Sequence, residues 1–276
     1  MIQINNLSFY YNKKRPIFDN VSLDLKGGIY GLLGENGVGK TTLLHIISGL
    51  RFPKGGTSKV FDYESADRSP DMLSKLFFLP EEFQAPNISI ANFVKYGSAF
   101  YPNFSQEQFD ACLLEFQVEG DRKMAELSFG QKKKVLISYA LATNTAITLL
   151  DEPTNGLDIP SKGQFRKVIA SAYDEERCIV ISTHQVRDLE SLIDPIIILD
   201  RNQVLLNNSV EEITQKLMFV HSHTKPIDAL YYEQSIHGYS SVQINVDGEE
   251  STFNIEALFN AVVSNKERIK ELFNKQ

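Results

Sequence analysis

Apolar and polar positions along this chain change spacing several times, and each change marks a different kind of element. The first sixty residues are β-rich, and strands are predicted over Ile2–Tyr10, Phe18–Leu25 and Thr57–Phe61, antiparallel to one another. Short apolar runs near Ile29, Phe77, Ile147 and Ile179 then alternate with helical stretches, which predicts buried parallel strands. Between Glu81 and Ala142 the spacing turns helical, with helices expected over Ile90–Phe100, Ser105–Phe116 and Phe129–Ala142. Asn103 or Ser105 can cap the second of these. Ile196–Asp200 and Gln203–Leu206 form a hairpin-like end, and Ser209 opens a further helix through a capping box to Glu212. Beyond Lys216 strand-like alternation returns at Leu217–His221 and Ser241–Val246, with a turn signal at Asp247-Gly248. Two amphipathic helices are expected over Ile255–Val263 and Lys266–Phe273, the second opened by Ser264-x-x-Glu267.

Chemistry enters at the junctions between these elements. The segment Gly34–Thr42 reads GENGVGKTT, so Gly34, Gly39, Lys40 and Thr41 fit G-x-x-x-x-G-K-[ST]. The buried strand Ile29–Leu33 precedes it and a helix over Leu43–Leu50 follows, the context that motif requires. Glycines let consecutive backbone N–H groups turn inward around phosphates, and the new helix adds its own unpaired N–H groups. Lys40 is placed to reach the outer phosphates, and Thr41 offers a hydroxyl to Mg²⁺.

A second junction follows the apolar run Ala146–Leu150, which ends in Asp151 and Glu152. Paired carboxylates at the end of a core strand are costly without a cationic partner, and a Mg²⁺–nucleotide supplies one. Asp151 would then hold the metal through water, and Glu152 would take the attacking water's proton or polarise that water. His184 ends another apolar strand, Cys178–Ser182, on the same rim, within reach of a γ-phosphate or that water. Ser128 and Gln131 form a capping box that starts the helix Phe129–Ala142; Gly130 gives close backbone access, and Lys132, Lys133 and Lys134 make its first turn basic. At least two of these three lysines are expected to be solvated.

Together these stretches resemble the ATP-binding subunit of an ABC transporter over about Met1–Asn208. By that resemblance Gly34–Thr42 is the Walker A loop, with Gly34, Glu35, Asn36, Gly37, Gly39, Lys40, Thr41 and Thr42 on the nucleotide. Leu127–Gln131 (LSFGQ) is the signature motif, with Ser128, Gly130 and Gln131 contacting the nucleotide of another copy, and Phe129 stands where the family usually has glycine. Ile147–Glu152 is Walker B plus the catalytic glutamate, Asn155–Asp158 the D-loop, and His184 the switch histidine. Tyr11 stands where an aromatic stacks on adenine, with Tyr10 the competing choice. Glu81, in FFLPEEF, replaces the usual glutamine of the loop leading to the helical subdomain, and could still ligate Mg²⁺.

The resemblance implies an α/β P-loop NTPase: a mixed parallel core sheet, an N-terminal antiparallel β subdomain, an inserted helical subdomain (about 84–142), and a small α+β C-terminal appendage (209–276) after the ATP-binding domain (1–208). It also implies ATP and Mg²⁺, and a homodimer, or a heterodimer with a related subunit, around ATP. A separate membrane-spanning permease subunit would be the partner, at the cytoplasmic face of the inner (plasma) membrane. The Leu-Pro-Glu-Glu pattern and STHQVRDLE (Ser182–Glu190) are similar to the exporter-type branch.

Composition narrows this further. A net charge of -7 argues against a general nucleic-acid binder. Cys112 and Cys178 lack metal or disulfide spacing, Met1 leads directly into a strand without a signal sequence, and no apolar run approaches the length of a bilayer span. His221 and His223 have no third ligand nearby for a metal. One phosphate loop means each chain holds half of each composite site. Alternatives are a soluble ABC-type ATPase in DNA repair or translation, or a nucleotide-gated binding module. The first lacks its usual coiled-coil, zinc or tandem-cassette features here, and the second sits poorly with Lys40, Asp151, Glu152 and His184 all present. The appendage is expected to support dimerisation or regulation, or else to pack back on the main domain.

Overall fold

The computed structural model describes residues 1–273. It opens with an antiparallel pair, β1 (Ile2–Asn12) and β2 (Arg15–Leu25), followed by β3 (Gly28–Leu33) and α1 (Lys40–Ile47). Next, β4 (Gly55–Val60) joins the free edge of β1 and β5 (Tyr63–Glu64) extends it, giving a four-stranded sheet in the order β2-β1-β4-β5. After α2 (Pro70–Leu73) and β6 (Leu76–Leu79) come three helices, α3 (Ile90–Ser98), α4 (Gln106–Glu115) and α5 (Phe129–Ala142). The chain then runs through β7 (Ile147–Asp151), α6 (Ile159–Ala172), β8 (Cys178–Thr183), β9 (Ile196–Asp200) and β10 (Gln203–Asn208). It ends in α7 (Val210–Lys216), the sheet strands β11 (Leu217–Ser222), β12 (Tyr231–Ser235) and β13 (Gly238–Ile244), then α8 (Ile255–Ser264) and α9 (Lys266–Phe273).

The central sheet has the order β10-β9-β3-β8-β7-β6, parallel throughout except for β10 at its edge. Strands β3, β7, β8 and β9 are buried at every position, as expected of a parallel sheet covered on both faces. Their residues still alternate between two cores. Cys178 and Val180 face α1 and the N-terminal sheet, while Ile179 and Ile181 face α3 to α6. The second core continues without a break into Leu217, Val242, Leu258, Val262 and Ile269 of the C-terminal elements, so the tail packs back on the central sheet.

Register decides where the chemistry falls. Leu33 pairs with Thr183 and Asp151 with Ser182, so the residues that follow β3, β7 and β8 emerge together on one rim.

The structure shifts several expected boundaries. Helix α1 starts at Lys40 and stops at Ile47 rather than running to Leu50, because Gly49 takes a left-handed conformation (φ 71°) and its N–H donates to Ile46 O (3.0 Å). A Cβ at Gly49 would lie 2.2 Å from Ser65 O, so the turn excludes other residues. Strand β12 was not expected. Ser264 does not open α9; it is the last residue of α8, with Asn265 alone between the two helices. The Asp247-Gly248 turn leads out of β13 toward α8 and joins no hairpin; the hairpin in this sheet is the Ser235↔Gly238 closure between β12 and β13.

Candidate nucleotide site

The loop from Gly34 to Gly39 connects β3 to α1. Gly39 (φ 115°) sits against Ile17 and Phe18, where a Cβ would come within 2.8 Å of Ile17 Cγ2. It gives α1 no side-chain cap, so the first-turn N–H groups are left for a ligand. The Lys40 side chain folds back over the loop. Its Nζ donates to Gly34 O (2.8 Å) and Glu35 O (3.3 Å) and lies 3.6 Å from Glu152 Oε1. Burial pushes its pKa down, and the adjacent Glu152 carboxylate opposes that shift.

Asp151 and Glu152 diverge at the end of β7. Asp151 Oδ1 accepts a 2.5 Å hydrogen bond from Ser182 Oγ on β8. Glu152 takes a left-handed backbone conformation (φ 44°), and its N–H donates to Ser182 O and Ser182 Oγ, both at 3.1 Å. Its Oε1 lies 2.9 Å from His184 Nδ1, while Oε2 is buried with no hydrogen-bond partner. A buried carboxylate oxygen without a donor is destabilising, and a bound water or a cation beside phosphate satisfies it. The available metal donors here are oxygens, and among the described residues no group of three or more His, Cys, Asp or Glu could hold a metal alone. That set suits Mg²⁺, which shares its shell with phosphate and water.

Tyr11, Ile17, Asn36, Gly37, Gly39, Lys40, Thr41, Thr42, Glu81, Glu152 and His184 line one cavity of about 440 Å³. Tyr11, not Tyr10, reaches it: the Tyr11 hydroxyl lies 3.2 Å from Thr42 Oγ1, and the exposed ring packs edge-on against Phe9. Glu81 is present but engaged, since Asn155 Nδ2 donates to its Oε1 (2.8 Å) and Gln185 Nε2 donates to Asn155 Oδ1 (3.3 Å).

Ser128, Gly130 and Gln131 do not line that cavity. Ser128 and Gln131 form the capping box expected of them: Gln131 N donates to Ser128 Oγ (3.2 Å) and Ser128 N to Gln131 Oε1 (3.0 Å). Ser128 is exposed at the tip of α5. Phe129 stacks on Phe83 (centroids 5.3 Å apart, 14° between planes) and lies against Gly156, where a Cβ would meet its ring at 2.8 Å. The lysines beside it depart from the expected solvated face. Lys133 is fully buried, and Lys134 Nζ donates to Phe116 O (3.2 Å) and Gln164 Oε1 (3.3 Å).

Motif reading passes over Ile17, which lines the cavity, and Ser182, which bonds Asp151, and it misses the burial of Lys133 against the turn after β7. A serine ending the apolar run Cys178–Ile181 was the available signal for Ser182. For Lys133 the signal was periodicity: Leu136, Ile137 and Ala140, three, four and seven residues on, are all buried.

Strand, glycine loop and helix, with a lysine and two carboxylates turned to the same rim, define a P-loop nucleotide-binding ATPase. The ABC transporter family model matches residues 18–155, half of the chain. The methionine import ATP-binding protein MetN of Carboxydothermus hydrogenoformans is 33% identical over 228 residues, 77% of this chain and 67% of that protein. A solved dimeric structure of a bacterial ABC transporter cassette superposes with a TM-score of 0.65 at 25% identity, covering 76% of this chain and 99% of that one. A putative cobalt transport ATP-binding protein, cbiO-2, superposes with a TM-score of 0.69 at 23% identity and covers 96% of this chain and all of that one, which is a likeness of fold. The chain belongs to the ABC transporter family, as an ATP-binding subunit that hydrolyses ATP.

Proposed function

We propose that this chain is the motor subunit of a transporter: two copies, or one copy and a related subunit, close around ATP, hydrolysis reopens them, and the motion drives a separate membrane-spanning permease. The observation that carries this reading is a division of the site. Lys40, Glu152 and His184 converge on one cavity, while the Ser128 tip of α5 stands exposed outside it. That arrangement is half of a composite site, with the tip available to phosphate bound on another copy.

In this reading Gly34, Glu35, Asn36, Gly37, Gly39, Lys40, Thr41 and Thr42 cradle the phosphates, and Tyr11 stacks on the base. Glu152 accepts the proton of the attacking water through its unpartnered Oε2, and His184 orients the carboxylate through Oε1. Mg²⁺, held by Thr41 and Asp151, would supply charge neutralisation at the phosphates. Glu81 is bonded to Asn155, which argues for a role at the D-loop over direct metal ligation.

A groove of about 790 Å³ bordered by Leu50, Arg68, Phe78, Phe100 and Tyr101 is the surface we assign to the permease. Leu50 and Phe100 are exposed there. Among the described residues no helix is long and apolar enough to cross a membrane, so the chain would sit peripherally on the cytoplasmic face. Residues 1–208 would form the ATP-binding domain, with its helical subdomain at about 84–142, and 209–276 an appendage for regulation or dimer support. Export is the direction the Leu-Pro-Glu-Glu and STHQVRDLE stretches favour. Import is the second reading, favoured by the named function of the MetN relative.

The test is assembly. The E152Q variant should elute as a dimer in size-exclusion chromatography with light scattering when ATP is present, and as a monomer without it. A strict monomer at saturating ATP overturns the composite site. Recovery of the chain from native membranes with a multi-spanning protein tests the permease assignment, and its absence from membranes overturns it.

A further inference from the structure

Lys133 is among the largest fully buried side chains in the protein, and it carries a charge. Burying an ammonium is costly unless its protons are all used. Its Nζ donates to Glu152 O at 2.7 Å and to Asn155 O at 3.1 Å, and the charge sits 5.8 Å from the Phe129 ring centroid. Both acceptors belong to the tight turn that follows β7. Within that turn Asn155 N also donates to Glu152 O (3.2 Å), and Glu152 itself is held at φ 44°. One side chain from the second turn-face of the α5 tip therefore clamps both ends of the strained segment from which the Glu152 carboxylate projects.

The surroundings give the charge a purpose beyond two hydrogen bonds. Asp151 precedes the turn and Glu152 opens it, and Glu81 Oε1 accepts from the Nδ2 of the same Asn155 (2.8 Å). Asn155 thus bridges an anionic and a cationic side chain, with its side-chain amide nitrogen donating to Glu81 and its main-chain carbonyl accepting from Lys133. A neutral donor in place of Lys133 would remove one of the two lysine charges, Lys133 and Lys40, that act on the Glu81 carboxylate, and the one that reaches it through Asn155.

We propose that Lys133 is a positioning residue for ATP hydrolysis, which fixes the Glu152–Asn155 turn and, through Asn155, forms a functional charge pair with Glu81. The pair ties the signature helix to the catalytic turn of the same chain. The inference rests on Glu152 acting as the base.

The experiment is steady-state ATP hydrolysis by full-length K133M, K133Q, E81Q and the E81Q/K133Q double variant, with E152Q as a control and Tm measured for each. A base displaced by a fraction of an ångström to one ångström costs about 10²-fold in kcat, so K133M should lose about that much with KM for ATP within about threefold of wild type. The double variant should be at least about tenfold more active than the product of the single effects, the mark of a coupled pair. A merely structural lysine would instead lower Tm and raise KM while leaving kcat per folded molecule and the additivity unchanged, and that pattern overturns the assignment. If K133M does not fold, K133Q and the double variant carry the test; if neither lysine variant folds, Lys133 is a folding residue and the assignment falls. An active E152Q would remove Glu152 from its role, whereas an inactive E152Q beside a wild-type-like K133M would refute Lys133 alone.

Discussion

Replacing Glu152 with glutamine is the sharpest perturbation the site allows, because the amide keeps the shape of the side chain and removes only its basicity and charge. The Glu152 side chain is 6% exposed, with Oε1 at 2.9 Å from His184 Nδ1 and 3.6 Å from Lys40 Nζ. Oε2 is the atom free to take a proton. A general base of this kind contributes about 10²–10⁴ in rate, so E152Q should lower kcat by that factor, about 3–5 kcal/mol of barrier. Binding should move the other way. In the ground state the carboxylate competes with phosphate for Lys40 and repels it; relief of a screened like-charge contact on the order of 1 kcal/mol makes ATP bind several-fold more tightly.

Two assays on the same preparation separate these effects: phosphate release at saturating ATP for turnover, and titration with a fluorescent ATP analogue for affinity. The expected result is a loss of turnover with affinity equal to or above wild type. Turnover within about threefold of wild type is incompatible with proton transfer to Glu152 and refutes the mechanism. Parallel loss of binding and turnover refutes it differently, by making Glu152 a residue that holds the site together.

Three further outcomes follow from particular contacts. Tyr11→Ala should weaken ATP binding by about tenfold, the size of one lost aromatic–base stack, while Tyr11→Phe stays within about threefold; equal binding by all three proteins in the same titration would remove Tyr11 from the base. Phe165→Ala empties a fully buried position on α6 and should cost about 3–5 kcal/mol, read as a lower urea midpoint at unchanged m-value. Glu190 Oε1 accepts the Ile255 N–H at the start of α8 (2.7 Å), and Arg187 pairs with Glu256 on the same turn, so α8 is docked on the segment that follows His184. Glu190→Ala should therefore destabilise by about 1 kcal/mol and also change kcat; a lower Tm with unaltered turnover would confine that contact to packing.

Much of this architecture was legible in the chain because its strongest signals are local. The phosphate loop carries its own strand–glycine–helix context, and the Ser128 and Ser209 capping boxes form where their spacing places them. Helix α5 spans Phe129–Ala142 as its periodicity predicts. What escaped was decided by tertiary contacts. Strand β12 is exposed at four of its five positions, an edge strand with no alternation to read. Helix α8 is capped partly from another part of the chain, by Glu190, and its boundary with α9 falls at Asn265 where sequence spacing had favoured Ser264. The position of Glu81 was legible, but its hydrogen bond to a residue 74 positions away was not.

Lys133 shows why residue type can mislead where periodicity does not. Three consecutive lysines at the start of a helix look like a solvated basic turn. Helix geometry separates them: lysines one residue apart point about 100° from each other, so at most a part of the run can share a face. The apolar stripe through Leu136, Ile137 and Ala140 passes through Lys133 and sends it inward, where the backbone carbonyls of Glu152 and Asn155 and the Phe129 ring receive it. Lys134 crosses to Phe116 and Gln164, binding α5 to its helical neighbours. Lys132 remains on the outer side of the same turn, partly accessible. The three charges thus take three different surroundings: solvent for Lys132, the turn after β7 for Lys133, and α4 and α6 for Lys134.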